Sequence, residues 1–91
     1  PRAPREHFSM VLADPPYALD DATVAEMVRA LEPLLIDGAV VVVERHRDSP
    51  ETDWPATFTP TGQKLKKRTY GIARMDMAVY ADPETNESEE Q

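Results

Sequence analysis

The sequence predicts an α/β fold: strand, helix, strand, then a β-hairpin. Three observations carry that prediction. Residues 7–13 (HFSMVLA) and 39–44 (AVVVVE) are nearly unbroken apolar runs, the pattern of strands inside a parallel sheet. Between them, apolar residues recur at three- and four-residue steps behind a pair of aspartates. Beyond Gly71 the period changes to two, as in a half-exposed antiparallel strand.

Each element has its own signals. The first strand is expected over residues 7–13 and is stopped by Asp14-Pro15-Pro16-Tyr17, because proline cannot donate to a sheet ladder. Asp20 or Asp21 serves as N-cap for the helix. Val24, Met27, Val28, Leu31 and Leu35 form its apolar stripe, Pro33 ends it, and Asp37-Gly38 is a turn. The strand at 39–44 follows, β-branched throughout and expected to lie parallel to the first with a right-handed crossover. Residues 46–62 contain Pro50, Pro55, Pro60 and Gly62 and are expected to form a loop across the sheet, held by Trp54 and Phe58. A third strand is expected over 63–70, Gly71 turns the chain, and the last strand runs over 72–81. Alternation there puts Ala73, Met75, Met77 and Val79 on one face, with the methionines toward the core, and Arg74, Asp76, Ala78 and Tyr80 on the other.

The first strand looks buried on both faces, yet this inventory has one helix and one strand to cover it. A bare apolar edge invites aggregation. More sheet is therefore expected on its N-terminal side. The first residue is Pro1, which suggests a processed product or a fragment. The expected layout is an N-terminal boundary at 1–6, sheet and helix at 7–81, and a disordered acidic tail at 82–91.

With 91 residues the chain holds one small domain. It has no cysteine, which excludes a disulfide framework and thiolate metal sites. No apolar run approaches membrane-spanning length, so a soluble, cytoplasmic protein is expected. The net charge of −7 argues against nucleic acid, but its distribution does not. Five acids and no base follow Tyr80; without that tail the formal charge is −2. Lys64, Lys66, Lys67, Arg68 and Arg74 form a basic segment with no acid among them. Taken alone, such a run is more often a solvated face.

The chemistry-bearing signal is Asp14-Pro15-Pro16-Tyr17, at the carboxyl end of a parallel strand, where open α/β sheets bind ligands. A carboxylate only accepts hydrogen bonds, and Pro15 has no N–H to interfere beside its carbonyl. Two adjacent acceptors suit an NH₂ group. Holding its hydrogens out of plane would free the lone pair of an exocyclic base nitrogen for attack on a sulfonium methyl. Two prolines make a rigid platform, and Tyr17 offers a face for a flipped-out base, worth roughly 1–3 kcal/mol. The plain alternative is a strand-ending turn. Elsewhere, His46 is expected at the surface, His7 and His46 lack metal-ligand spacing, Glu44 is expected to be structural, and Trp54 packs a loop.

DPPY after a buried strand resembles the motif of amino-methyltransferases with the Rossmann-like fold. AVVVVE, a proline-bearing loop and KLKKRTYGIARMDMAVY resemble the C-terminal end of RsmD-type enzymes, over residues 7–81. The resemblance implies the C-terminal half of a class I methyltransferase sheet: two parallel strands with a crossover helix, then a hairpin whose last strand is antiparallel and lies between the second and third. It implies an S-adenosylmethionine-dependent enzyme acting on guanine N2 in 16S ribosomal RNA. Asp14 and Pro15 would hold the amine, and Pro16 and Tyr17 the base. With the basic segment and hairpin on that rim, Arg45, Arg47, Arg68 and Arg74 are expected to border the RNA. The partners implied are 16S ribosomal RNA or the small ribosomal subunit particle, and the N-terminal half of the same enzyme, which would hold most of the cofactor; no membrane is involved. The family's glycine-rich loop and ribose-binding acid are absent, and no Gly-x-Gly occurs. DPPY is shared with adenine-N6 DNA methyltransferases, which leaves that alternative open, beside a non-catalytic RNA or protein interaction module.

Overall fold

The computed structural model describes residues 8–16, 19–68 and 71–83. Strand β1 (Phe8–Ala13) leads to helix α1 (Asp21–Leu31), a 3₁₀ turn (Glu32–Leu34) and strand β2 (Leu35–His46). Strands β3 (Phe58–Arg68) and β4 (Gly71–Tyr80) form the hairpin. The sheet order is β1-β2-β4-β3, with β1 parallel to β2 and β4 antiparallel to both its neighbours. This is the expected topology.

Asp20 caps α1 by accepting from the Thr23 amide at 2.8 Å. Bonds from Thr23, side chain first and then backbone, hold the Asp20 carboxyl below its usual range. Val24 and Val28 are fully buried against the sheet, each worth roughly 1.5–3 kcal/mol. They pack with Leu35, Ala39, Val41, Val43, Phe58, Ala78 and Tyr80. Trp54, Phe58 and Tyr80 extend this core as a chain of tilted rings, with centroids 5.6 and 5.2 Å apart.

Five expectations need correction. Leu35 belongs to β2, not to the helix stripe: Pro33 lies in the 3₁₀ turn that ends α1, and the chain is extended from Leu35 onward. Asp37-Gly38 is therefore no turn between elements but an irregularity within β2. The register passes from Phe8↔Leu35 to Met10↔Val40, and Gly38 takes φ +86° to absorb the extra residues. Strand β3 begins at Phe58 and runs through Pro60 and Gly62. An edge strand tolerates proline, and the register shifts between those two residues.

The fourth and fifth corrections concern burial. On β4 the core face carries Arg74, Asp76, Ala78 and Tyr80, whereas Met75, Met77 and Val79 are half-buried on the opposite face. The cause is tertiary, because α1 and the 47–57 loop cover the same side of the sheet. Strand β1, in turn, is not buried on both faces. Val11 and Ala13 pack toward the core, while Phe8, Met10 and Leu12 are exposed, Leu12 at 70%. Among the described residues no helix is long and apolar enough to cross a membrane. Tyr17, Tyr70, His7 and the tail from Glu84 onward lie outside the described residues.

Candidate methyl-acceptor site

Asp14, Pro15 and Pro16 follow directly on β1, beside the end of β2 (Ala13↔Val43). Asp14 is exposed and Pro15 buried. The Pro16 carbonyl accepts from the Leu19 amide at 3.1 Å, so the prolines do make a turn into the helix. That turn leaves the Asp14 carboxylate outside the packing.

Asp14 opens onto a groove of about 270 Å³ on the sheet face that α1 does not cover. Leu12, Val42 and Met75 supply its apolar surface, and Glu44, Lys66 and Arg68 its charge. Strand pairing explains the set. Leu12 lies opposite Val42, Glu44 opposite Met75, and Met75 opposite Lys64, so these side chains share one face. Arg68 pairs with Gly71, and the Arg47 amide donates to the Ile72 carbonyl at 3.0 Å. Arg68 and Gly71 therefore lie toward the same rim as Asp14, as expected.

The four arginines do not share one role. Arg68 grips Glu44 with two bonds, Nη2 to Oε1 at 2.6 Å and Nε to Oε2 at 3.2 Å. Its side chain is 40% exposed and that of Glu44 only 12%. Arg47 is exposed on the rim, 3.5 Å from Asp48. Arg45 is buried and ties β2 to the start of α1 through Asp21 at 3.0 Å.

Arg74 is buried as well. It donates to both Asp76 oxygens at 2.6 and 2.9 Å and to the carbonyls of Arg47, Ser49 and Pro50 at 3.1, 2.6 and 2.8 Å. Asp76 also accepts from the Thr52 hydroxyl and amide at 2.7 and 3.0 Å. Burial alone would push the Asp76 carboxyl up; the bonds from Arg74 and Thr52 outweigh it and hold it below the usual range. The bond to Asp76 likewise raises the guanidinium of Arg74. Arg45 and Arg74, expected to border RNA, are thus corrected to packing residues: both are buried on the covered side, Arg45 bonded to Asp21 and Arg74 with all five donors committed.

Sequence reasoning placed Glu44 in a structural role and gave none to Lys66. The available signal was a carboxylate at the end of AVVVVE, in phase with Val42, and a basic strand alternating in the same phase. His46 accepts from the Asp48 amide at 3.1 Å in the turn after β2.

A parallel pair with its crossover helix, completed by an antiparallel hairpin and with Asp-Pro-Pro at the strand end, defines the class: this is the C-terminal half of a Rossmann-like methyltransferase domain. The chain belongs to the family described as conserved hypothetical protein 95, the RsmD-like family, whose model matches residues 1–79. It is similar to HI0767 of Haemophilus influenzae at 25% identity and TM-score 0.61 over 86% of this chain. It is similar to a conserved hypothetical protein of Streptococcus pyogenes at 28% identity and TM-score 0.61 over 84% of this chain. It shares the fold of TrmN from Thermus thermophilus at 18% identity and TM-score 0.68 over 82% of this chain. The chain spans 45% of the length of each of the first two and 24% of the third. No curated protein matches it.

Proposed function

We propose that the complete protein is an S-adenosylmethionine-dependent methyltransferase acting on the exocyclic N2 of a guanine in 16S ribosomal RNA, in the cytoplasm. The observation that carries this reading is the exposed Asp14 carboxylate beside Pro15, at the carboxyl end of a parallel strand and at the mouth of a groove. Asp14 and the Pro15 carbonyl accept the two amine hydrogens, which releases the nitrogen lone pair. Pro16 and Tyr17 support the base, and Arg47 and Lys66 meet phosphates along the rim, with Arg68 beside them.

The donor supplies an electrophilic methyl group on a sulfonium. The three glycines of this chain serve a bulge, an edge strand and a hairpin turn, so none cradles an adenosine. Its residues fit the acceptor side of the reaction and not the donor's nucleoside. The exposed Phe8 and Met10 are covered, in this reading, by the other half of the same enzyme.

The test incubates the complete protein with radiolabelled S-adenosylmethionine and, in parallel, unmodified small-subunit particles or duplex DNA, then digests the nucleic acid. Labelled N2-methylguanosine is the expected product. Label in N6-methyladenine of DNA instead would overturn the substrate, and no transfer to any nucleic acid would favour an interaction module.

A further inference from the structure

We infer that Glu44 and Arg68 read the Watson–Crick edge of the target base and select guanine over other purines; this rests on the methyl-acceptor reading above. The sheet order places three groups on one rim. Asp14 ends β1, Glu44 lies one strand away on β2, and Arg68 reaches toward it from β3, across β4. Neighbouring strands lie about 4.8 Å apart. Across the sheet the sequence of groups is therefore acceptor, acceptor, donor. All three line one groove, whose apolar surface includes Leu12 and Met75. Arg68 holds the Glu44 carboxylate in place through two bonds, so its orientation is set before a base arrives.

Guanine presents donor, donor, acceptor along that edge: the N2 amine, N1–H and O6. With the amine at Asp14, N1–H meets Glu44 and O6 meets Arg68. A carboxylate has about four lone-pair sites and a guanidinium five N–H donors, more than the two bonds between Arg68 and Glu44 use. Adenine and 2-aminopurine instead bring the N1 lone pair against the carboxylate. Two acceptors then face each other with no proton between them, which is a strong basis for rejection.

The experiment first maps the modified guanine in 16S ribosomal RNA with the complete protein. It then compares kcat/KM on short RNAs carrying guanine or 2-aminopurine there, since both have the reactive amine. The wild type should prefer guanine by about a hundredfold or more. In Glu44→Gln, whose amide can donate to N1, that ratio should fall below about tenfold. Arg68→Lys, which keeps the charge and loses the fork, should narrow it in the same direction. A merely structural Glu44 would lower both rates together and leave the ratio unchanged, which would overturn the inference while the methylation reading stands. If no guanine N2 is methylated in the mapping step, the underlying reading fails and this inference with it.

Discussion

Arg68 and Arg74 flank the same hairpin turn, yet they meet opposite surroundings. Arg74 points to the face covered by α1 and the 47–57 loop, where Asp76 and three backbone carbonyls take its donors. Arg68 points to the open face, where it shares a groove with Glu44, Lys66 and the exposed Asp14. The comparison teaches that side-chain parity, together with what covers each face, assigns an arginine its work. On the covered face a charge must be paired to be tolerated; on the open face it can stay in contact with water and meet a ligand.

The largest effect should come from breaking the buried cluster. Asp76→Ala strands the Arg74 guanidinium and should cost about 3–5 kcal/mol of stability, measured by urea unfolding of the complete protein. A loss below 1 kcal/mol would mean that the two faces are not energetically distinct. Asp14→Ala tests the open face. It should reduce methyl transfer by more than about tenfold, at least ~1.4 kcal/mol of transition-state stabilisation. Donor affinity and melting temperature should stay near wild type, because Asp14 lies outside the packing. Retention of most turnover would remove Asp14 from the acceptor role.

Reversing the charge of Arg47 and Arg68 together should weaken RNA binding and flatten its salt dependence. Reversal of Arg74 is unsuitable for that measurement, since it would disrupt the fold. Arg68→Ala should cost less stability than Asp76→Ala, because the Arg68 side chain is 40% exposed, although Glu44 at 12% loses its partner. An Arg68→Ala loss equal to that of Arg74→Ala would erase the contrast.

Acid should sharpen it from the other side. The folded Asp76 carboxyl sits below its unfolded value, so its stabilisation is present above that value, ordinarily about 3.9, and is lost as pH falls through the lowered one. Asp76→Asn should therefore flatten the acid limb of the stability profile below about pH 4. An unchanged limb would assign that dependence to other carboxylates.

Local patterns carried much of this protein in its sequence. Two apolar runs, the Asp20 cap with Val24 and Val28, and the period of two after Gly71 foretold the elements and, with the family resemblance, their order in the sheet. Asp14-Pro15-Pro16 was legible as a candidate site because prolines and a carboxylate at a strand end act through local geometry. Strand limits were harder: Pro60 is tolerated only because β3 is an edge strand, and Asp37-Gly38 only as an irregularity within β2. Which face of β4 is the core was undetermined. Alternation fixes that Arg74 and Met75 point to opposite sides, but not which side α1 covers. Intuition put the methionines inside, whereas the helix and the 47–57 loop enclosed Arg74 and Asp76 by supplying Thr52 and three carbonyls as partners. The pairing of Glu44 with Arg68, residues 24 apart in the chain, likewise arises only when the sheet brings their strands within reach of one another.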